Sequence, residues 1–244
     1  MSVPTNTKTP SDVEILYARS ILYQMLAFFF RHPAQIKDIA MVKSNALIWQ
    51  DAIRCVSAND KLIQEFKKSD LAEWICEYER CFGHTVNTAA PAYELEYGEE
   101  HSHREPQTLA DITAFYNAFG LKIAQNAHER ADHVSVECEF MHYLLYKEAF
   151  AIEEGTEEQV LVTREASKNF LTHHLGYWLP SFARRLSKIS EGIMQEAALF
   201  ALEFVTEDFR RLGIQAGSSD LPIRTIQEKE ETGCVSCSIP SHAC

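Results

Sequence analysis

The sequence predicts a single all-α domain that forms a helical bundle, and three observations lead to this prediction. The 244 residues are 46% hydrophobic, which is enough for a full core. Glycine and proline, with 9 and 8 residues, stand mostly at the ends of segments. Apolar residues recur every three or four positions, the period of a helix that buries one face. We expect a helical domain over residues 11–213, between a flexible N-terminus, 1–10, and a flexible, disordered tail, 214–244.

The first half of the chain carries two capping boxes, in which a small polar side chain and a glutamate three residues later close a helix N-terminus. One is Ser11–Glu14, and its helix is expected to run to Pro33. Residues 34–56 have helical spacing in two pieces. The second box, Asp70–Glu73, begins a helix that ends at Gly83.

Residues 83–107 interrupt the helical pattern with glycines and prolines, and they contain the stretch PAYELEYGEEHSHRE. A connection this long inside a compact domain is usually functional or flexible. Helical spacing returns over Thr108–Phe119, and Gly120 closes that helix.

The segment Glu129–Ile152 predicts the helix around which the others pack. Its apolar residues form one stripe, and aromatic neighbours widen that stripe: Val134, Cys138, Met141, Leu145, Ala149 and Ile152. A helix that is apolar over most of its surface belongs in the middle of a bundle. We expect Asp132 to be its N-cap and His133 to lie in its first turn, at an exposed mouth. This corner is the leading candidate for the functional site.

Three further helices complete the prediction. The first covers 160–175. The second begins near Tyr177 and places Pro180 in its first turn, where the missing N–H costs nothing. The third covers 190–212 and ends at Gly213.

The charge and the termini indicate where the protein works. The net charge of −12 argues against nucleic acid, which demands a basic surface, and would speed encounter with a basic partner. The alternative is that the acidity serves solubility alone. There is no run of eighteen apolar residues and no apolar signal-peptide core, so we expect a cytoplasmic protein without a membrane span.

The helix N-terminus gives the Asp132–His133 pair its chemistry. Partial positive charge there stabilises Asp132 as an anion and disfavours protonated His133. An ionised carboxylate at the mouth of a groove is a counter-ion for an arginine, which it can bind bidentately. The alternative is that Asp132 only caps the helix and His133 only satisfies a nearby carbonyl.

Two groups of residues support a different hypothesis, a metal-binding helical protein. Glu139 and His142 form an E-x-x-H pair, which is half of the di-metal pattern of ferritin-like bundles, and the chain has no second copy. Four soft ligands at short spacing in the tail are either a metal site or free thiols with a histidine: Cys234, Cys237, His242 and Cys244. Of His173 and His174, at most one can face inward on a helix.

Catalytic signatures give no competing prediction. The sequence has no glycine-rich phosphate loop, nucleophile elbow or H-E-x-x-H zinc motif. We therefore expect a protein that is not an enzyme and that carries no cofactor.

Four blocks of the sequence together resemble one family, the cytoplasmic assembly chaperones of DMSO-reductase-type molybdenum oxidoreductases, the TorD/DmsD and NarJ group. The blocks are Tyr78–Phe82, Tyr93–Gly98, Glu129–His133 and Phe170–Phe182. Glu129–His133 is similar to the family's E-P-x-D-H signature, with Arg130 or Ala131 in the place of the proline. Tyr93–Gly98 resembles the tyrosine-rich loop of the branch that serves nitrate-, selenate- and ethylbenzene-type enzymes. Tyr78–Phe82 resembles an aromatic-x-x-Leu-Phe signature, with Cys81 in the place of the leucine.

The resemblance implies a TorD-like helical bundle that acts as a chaperone. Such a chaperone binds the N-terminal region of the catalytic subunit of a molybdenum enzyme, often a twin-arginine signal peptide. It holds that subunit until the cofactor is inserted. The implied partner is the catalytic subunit, and the chaperone is a monomer or a homodimer.

The resemblance also implies roles for nine residues. Glu129 and Asp132 would make electrostatic contact with the partner, and His133 would orient or adjust that contact. An apolar surface would come from Tyr78, Phe82 and Trp178, although plain core packing is the alternative for the aromatic residues. A mobile loop closing over the peptide would be formed by Tyr93, Glu94 and Tyr97.

Overall fold

The computed structural model describes residues 10–83, 89–98, 105–124 and 129–224. Within these ranges the chain forms α-helices and two short 3-10 turns, and its only β-type pairing is two isolated bridges. The prediction of an all-α fold is confirmed.

The helices of the described residues follow one another in this order along the chain. They are α1 Asp12–Phe30, α2 Ile39–Asn45, α3 Leu47–Val56, α4 Lys61–Lys68, α5 Leu71–Phe82, α6 Glu105–Ala118, α7 Val134–Glu153, α8 Glu157–His173, α9 Leu175–Ile189 and α10 Gly192–Leu212.

Both helices with a predicted capping box begin where the sequence predicts, the first with the complete box and the second with the aspartate cap alone. At Ser11 the side chain accepts from the Glu14 N–H, and the Glu14 carboxylate accepts from the Ser11 N–H. At α5 the Asp70 carboxylate accepts from the backbone N–H groups of Ala72 and Glu73. Each cap satisfies N–H groups that have no partner inside the helix.

Helix α7 lies in the middle of the bundle, as its sequence predicts. It packs against α1 on one side and α8 on another, and α10 packs on α9. The side chains of Cys138, Met141 and Leu145 on α7 are fully buried. The bundle is therefore organised around α1 and α7.

Helix α1 is long and apolar enough to cross a membrane by length and hydropathy alone, and it is the only such helix among the described residues. In this fold, 61% of its most apolar window is buried inside the bundle. Buried Arg19 on α1 forms a two-point ion pair with Asp208 on α10, at 2.6 and 3.0 Å. These contacts make α1, with α7, a core helix of the bundle.

Helix α9 departs from the prediction. It begins at Leu175, and Pro180 lies inside it instead of in its first turn. Proline has no N–H to offer the carbonyl of Gly176, one turn earlier. Gly217 lies against this carbonyl, and a Cβ on Gly217 would overlap the carbonyl oxygens of Gly176 and Tyr177.

The segment from 214 to 224 also departs from the prediction of a flexible tail. The Gly98 N–H donates to the Pro222 carbonyl at 2.9 Å, and the Arg224 N–H donates to the Glu96 carbonyl at 2.9 Å. The Arg185 guanidinium donates to the Leu221 carbonyl at 2.8 Å. Residues 214–224 are therefore irregular but attached to the domain. The predicted flexible ends 1–9 and 225–244 lie outside the described residues.

Candidate functional site

The loop 89–98 is held against the start of α7 by backbone hydrogen bonds. The Val134 N–H donates to the Ala92 carbonyl, and the Glu94 N–H donates to the Asp132 carbonyl, both at 2.9 Å. The tyrosine-containing loop and the E-x-x-D-H segment, which are far apart in sequence, thus form one corner of the molecule. We call Tyr93, Glu129, Arg130, Asp132 and His133 the α7 corner.

Asp132 is fully buried, so the prediction of an exposed carboxylate at the mouth of a groove is wrong. Arg130 folds back over it, with Nε 2.9 Å from Oδ1 and Nη2 2.7 Å from Oδ2. The backbone N–H of Leu95 also donates to Oδ2, at 3.2 Å. A buried carboxylate needs such partners because desolvation of an unpaired charge costs several kcal/mol.

His133, not Asp132, caps α7. Its Nδ1 accepts from the Ser135 N–H at 3.2 Å and lies 2.8 Å from the Ser135 hydroxyl. Asp132 lies one residue before the cap, and its carboxylate accepts from Arg130 and from the Leu95 N–H instead. Burial lowers the pKa of His133 to about 4, so the ring is neutral at physiological pH.

The accessible part of the α7 corner consists of three side chains. The Tyr93 hydroxyl donates to Glu129 Oε2 at 2.8 Å, and its ring lies 4.9 Å from the His133 ring. The Arg130 guanidinium stands over the Tyr93 ring at 4.5 Å from its centroid. The side chains of Glu129 and Arg130 are 20% and 47% exposed. A partner therefore meets Tyr93, Glu129 and Arg130 before it meets Asp132.

Helix α5 flanks this corner with aromatic side chains. Tyr78 is buried and donates to the Phe30 carbonyl at 3.3 Å, and its ring lies 4.8 Å from that of half-buried Phe82. Burial, and to a smaller extent the neighbouring charge of Glu129, raises the pKa of Tyr78. Of the two predicted apolar contact residues on α5, Phe82 is the one that reaches the surface.

Tyr97 and Trp178 are core residues, so the apolar and loop surfaces predicted for them are not present. Both are fully buried, and their ring centroids lie 5.3 Å apart. The Tyr97 hydroxyl donates to the Pro91 carbonyl at 2.8 Å, and the Trp178 indole N–H donates to Glu137 at 3.2 Å. The predicted alternative of core packing is the correct one for Trp178.

Glu94 faces away from the α7 corner, toward a buried cluster with His174 and Glu137. Both Glu94 oxygens lie 3.3 Å from His174 Nδ1. Glu137 is fully buried, and burial together with the neighbouring Glu94 raises its pKa, which favours its protonated form. Sequence reasoning missed this cluster. A glutamate inside the apolar stripe of α7 is the signal that points to it.

Comparison with known proteins decides the family. Residues 49–184, more than half of the chain, match the family described as the nitrate reductase delta subunit. The chain belongs to this family. The match contains the α7 corner and the Glu94–His174–Glu137 cluster, but it does not reach α10 or residues 214–224.

Three relatives illustrate the membership. The chain is 32% identical over 108 residues to the selenate reductase assembly chaperone protein of Thauera selenatis, covering 44% of this chain and 54% of that protein. It is 31% identical over 111 residues to the chlorate reductase assembly chaperone protein of Ideonella dechloratans, covering 46% and 56%. It is 33% identical over 93 residues to the chaperone protein TorD of Vibrio cholerae, covering 38% and 41%. The chain thus spans about half the length of the curated relatives it matches. All three relatives are named as chaperones, which supports the prediction of a family member that is not an enzyme.

The residues proposed for metal binding are engaged elsewhere or lie outside the described ranges. His142 Nδ1 lies 2.8 Å from the Ser20 hydroxyl, and Glu139 points outward, 4.0 Å from Arg31. In the described part of the chain no three His, Cys, Asp or Glu side chains come together in a way that could hold a metal ion. The tail residues Cys234, Cys237, His242 and Cys244 lie outside that part. His173 is exposed and His174 is buried, so one of the two faces inward, and His174 lies at the junction between α8 and α9.

Proposed function

We propose that this family member is an assembly chaperone for the catalytic subunit of a molybdenum oxidoreductase. In this proposal it binds the N-terminal or twin-arginine signal region of the immature subunit in the cytoplasm. It holds that subunit until its cofactor is inserted. The observation that carries the proposal is the family match over residues 49–184, together with relatives that are named as assembly chaperones of reductases.

The α7 corner supports the proposal because it contains the groups that recognise an arginine. A carboxylate that presents two oxygens and an aromatic face beside it bind a guanidinium well. In this chain Asp132 and Tyr93 are those groups, and Arg130 already occupies them. A client arginine that reaches Asp132 therefore displaces Arg130, and the first carboxylate it meets is Glu129.

In this proposal the loop 89–98 contacts the client through fewer residues than its sequence predicts. Tyr93 is half-buried and available at the surface, whereas Glu94 and Tyr97 are buried. At the α7 corner a client meets Tyr93, and neither Glu94 nor Tyr97 is accessible there. We therefore place the first contact at Tyr93 and Glu129.

Purification from the native host tests the proposed function. A tagged chain should co-purify with a molybdenum-enzyme catalytic subunit that lacks its cofactor. Turnover of a small substrate by the isolated chain would contradict the proposal. So would recovery of the chain without such a subunit from cells that are expressing the reductase.

Peptide binding tests the site. A signal peptide with two arginines should bind, and the affinity should fall as salt rises, because the chain carries a net charge of −12. Glu129→Gln should weaken binding by about twofold to fivefold, the effect of one partly exposed charge pair. Glu158→Gln, on the exposed face of α8, is the matched control. Equal affinities for the two variants would remove Glu129 from the site.

A further inference from the structure

A second cleft opens on the other side of the loop 89–98 from the α7 corner. It has a volume of about 1060 Å³ and lies between α6, the start of α9 and residues 221–224. Its walls include Leu95, Thr108, Ala114, Tyr177 and Pro222. The family comparison gives this cleft no role, and the proposed function above does not use it.

The floor of the cleft holds a buried histidine that lacks a hydrogen-bond partner on one side. His174 is 2% exposed, and its Nδ1 lies 3.3 Å from both oxygens of Glu94. Among the described residues its buried Nε2 has no hydrogen-bond partner, and Asp111 Oδ2 lies 3.5 Å away. A separation of 3.5 Å is too long for a good N–H···O hydrogen bond.

The positions of His174 Nε2 and the Asp111 carboxylate leave room for an N–H group of a ligand between them. The His174 tautomer that carries its hydrogen on Nδ1, toward Glu94, directs the lone pair of Nε2 at the carboxylate of Asp111. Two acceptors in this position repel each other unless an N–H group lies between them. Unpaired buried polar groups are rare in proteins and often mark a missing ligand or water.

The charges around the floor favour a cationic ligand. Glu94 and Asp111 supply two carboxylates to the lining of the cleft. Arg224 is the cationic residue of the lining, and it stands beside Pro222 on the 221–224 segment. A ligand that brings both positive charge and several N–H groups to His174 and Asp111 is a guanidinium.

We propose that this cleft binds an arginine side chain of the client polypeptide, with Asp111 supplying the opposite charge and His174 Nε2 accepting a hydrogen bond. This inference rests on the proposed function, because the polypeptide is the client. Tyr93 and Glu94 are consecutive residues that face the α7 corner and this cleft respectively, so one extended segment can approach both sites along the loop 89–98.

The first experiment measures binding of a twin-arginine peptide and of the same peptide with citrulline in place of both arginines. Citrulline keeps the shape and loses the charge. Asp111→Asn should weaken binding of the arginine peptide about tenfold and leave the citrulline peptide unchanged. Asp51→Asn, an exposed aspartate on α3, is the matched control. Equal affinities of the two variants for the arginine peptide would overturn the proposal.

A second variant tests the cleft without changing the buried Glu94–His174–Glu137 cluster. Ala114 is exposed on α6 and lines the cleft, so Ala114→Trp should obstruct part of the cleft while His174 and Asp111 keep their own side chains. We expect about a tenfold loss of affinity, comparable to that of Asp111→Asn. Unchanged affinity in a correctly folded Ala114→Trp protein would exclude the cleft as the site.

Nuclear magnetic resonance of the imidazole nitrogens gives a readout that does not need the client. Arginine ethyl ester should shift the Nε2 resonance of His174 in the wild-type protein and not in Ala114→Trp. Absence of a shift would overturn the cleft proposal even if the client still co-purifies, so the two proposals fail separately. A shift with spermidine and none with arginine ethyl ester would also overturn it, because the ligand would then be a small polyamine.

Discussion

At the scale of single residues, the chain buries acidic side chains and pairs most of them with a basic group. Asp132 is paired with Arg130, Asp208 with Arg19, and Glu148 with Arg164. Burial of an ion pair contributes little net stability, but loss of one partner leaves an uncompensated charge and is strongly destabilising. Asp132, which the sequence predicts to be exposed at the mouth of a groove, can be fully buried in the fold because Arg130 pairs with it.

The pair between Arg130 and Asp132 gives the first prediction. Arg130→Ala should lower the free energy of unfolding by about 2–4 kcal/mol, because it leaves the buried carboxylate of Asp132 unpaired. Methylguanidinium should restore part of that loss by occupying the vacated site. Urea unfolding with and without methylguanidinium measures both effects.

The control for this prediction is Arg54→Ala, which removes an exposed ion pair with Asp51 on α3. This substitution should lower the free energy of unfolding by less than about 0.5 kcal/mol, and methylguanidinium should not restore the loss. Equal responses of the two variants to methylguanidinium would show that the site at Asp132 does not bind a guanidinium.

The lowered pKa of His133 gives the second prediction. The folded protein holds this ring neutral down to about pH 4, whereas the unfolded chain protonates it near pH 6.5. The contribution of His133 to the free energy of unfolding is therefore complete above pH 6.5 and falls as the pH drops from 6.5 to 4. The full loss is about 3 kcal/mol, from a pKa lowered from 6.5 to about 4.

Comparison of the wild-type protein with His133→Gln isolates this group. The raised pKa of Glu137 acts in the opposite direction, since a protonated buried carboxyl stabilises the fold as the pH falls. The difference between the two proteins in free energy of unfolding should shrink from pH 7 to pH 4.5. His173→Gln, an exposed histidine, should track the wild type. A pH-independent difference would contradict the assignment.

At the scale of elements, α9 and residues 214–224 form a pair that the sequence does not reveal. Pro180 frees a carbonyl on α9, and Gly217 fits against it. The Ser181 hydroxyl accepts from the Leu221 N–H at 3.0 Å and fixes the segment further along. Residues 214–224, whose composition resembles that of a free tail, are thus attached to α9 near Pro180.

This attachment gives the third prediction. Gly217→Val should detach residues 214–224, because a side chain there overlaps the carbonyls of Gly176 and Tyr177. Amide hydrogen exchange should rise at 94–98 and 221–224 and stay unchanged in α7. Ala216→Val, at an exposed neighbouring position, is the control. Protection that is equal in the two variants would show that the contact at Gly217 does not hold the segment.

At the scale of the whole molecule, backbone hydrogen bonds join three segments that are distant in sequence. The loop 89–98 pairs with residues 132–134 on one side and with residues 222–224 on the other. The α7 corner and the cleft lie on the two sides of this loop. Residues 222–224, at the end of the domain, therefore affect both proposed sites through this loop.

Two truncations give the fourth prediction. A chain that ends after Gly213 lacks the pairing of Pro222 with Gly98 and of Arg224 with Glu96, so it should melt several degrees below a chain that ends after Arg224. Calorimetry measures the difference. Equal melting temperatures would place the domain end at Gly213, where the sequence predicts it.

The sequence by itself determined the fold class, the central helix and the family. Helical spacing and two capping boxes are local signals, and they predicted α1, α5 and α7 because a helix is specified by residues close in sequence. They did not reveal α4, Lys61–Lys68, a short helix whose apolar face is only Leu62, Ile63 and Phe66. The four family blocks likewise stand in sequence order and needed no structure.

Only the tertiary structure decided which residues of the site can be reached. Whether Asp132 faces solvent depends on Arg130 folding over it and on the Leu95 N–H from another segment. Whether Tyr97 lines a surface depends on Trp178, eighty-one positions later in the chain. The spacing of residues within one helix carries no information about partners from other segments. Burial, and with it the state of each charge, was therefore set by long-range packing.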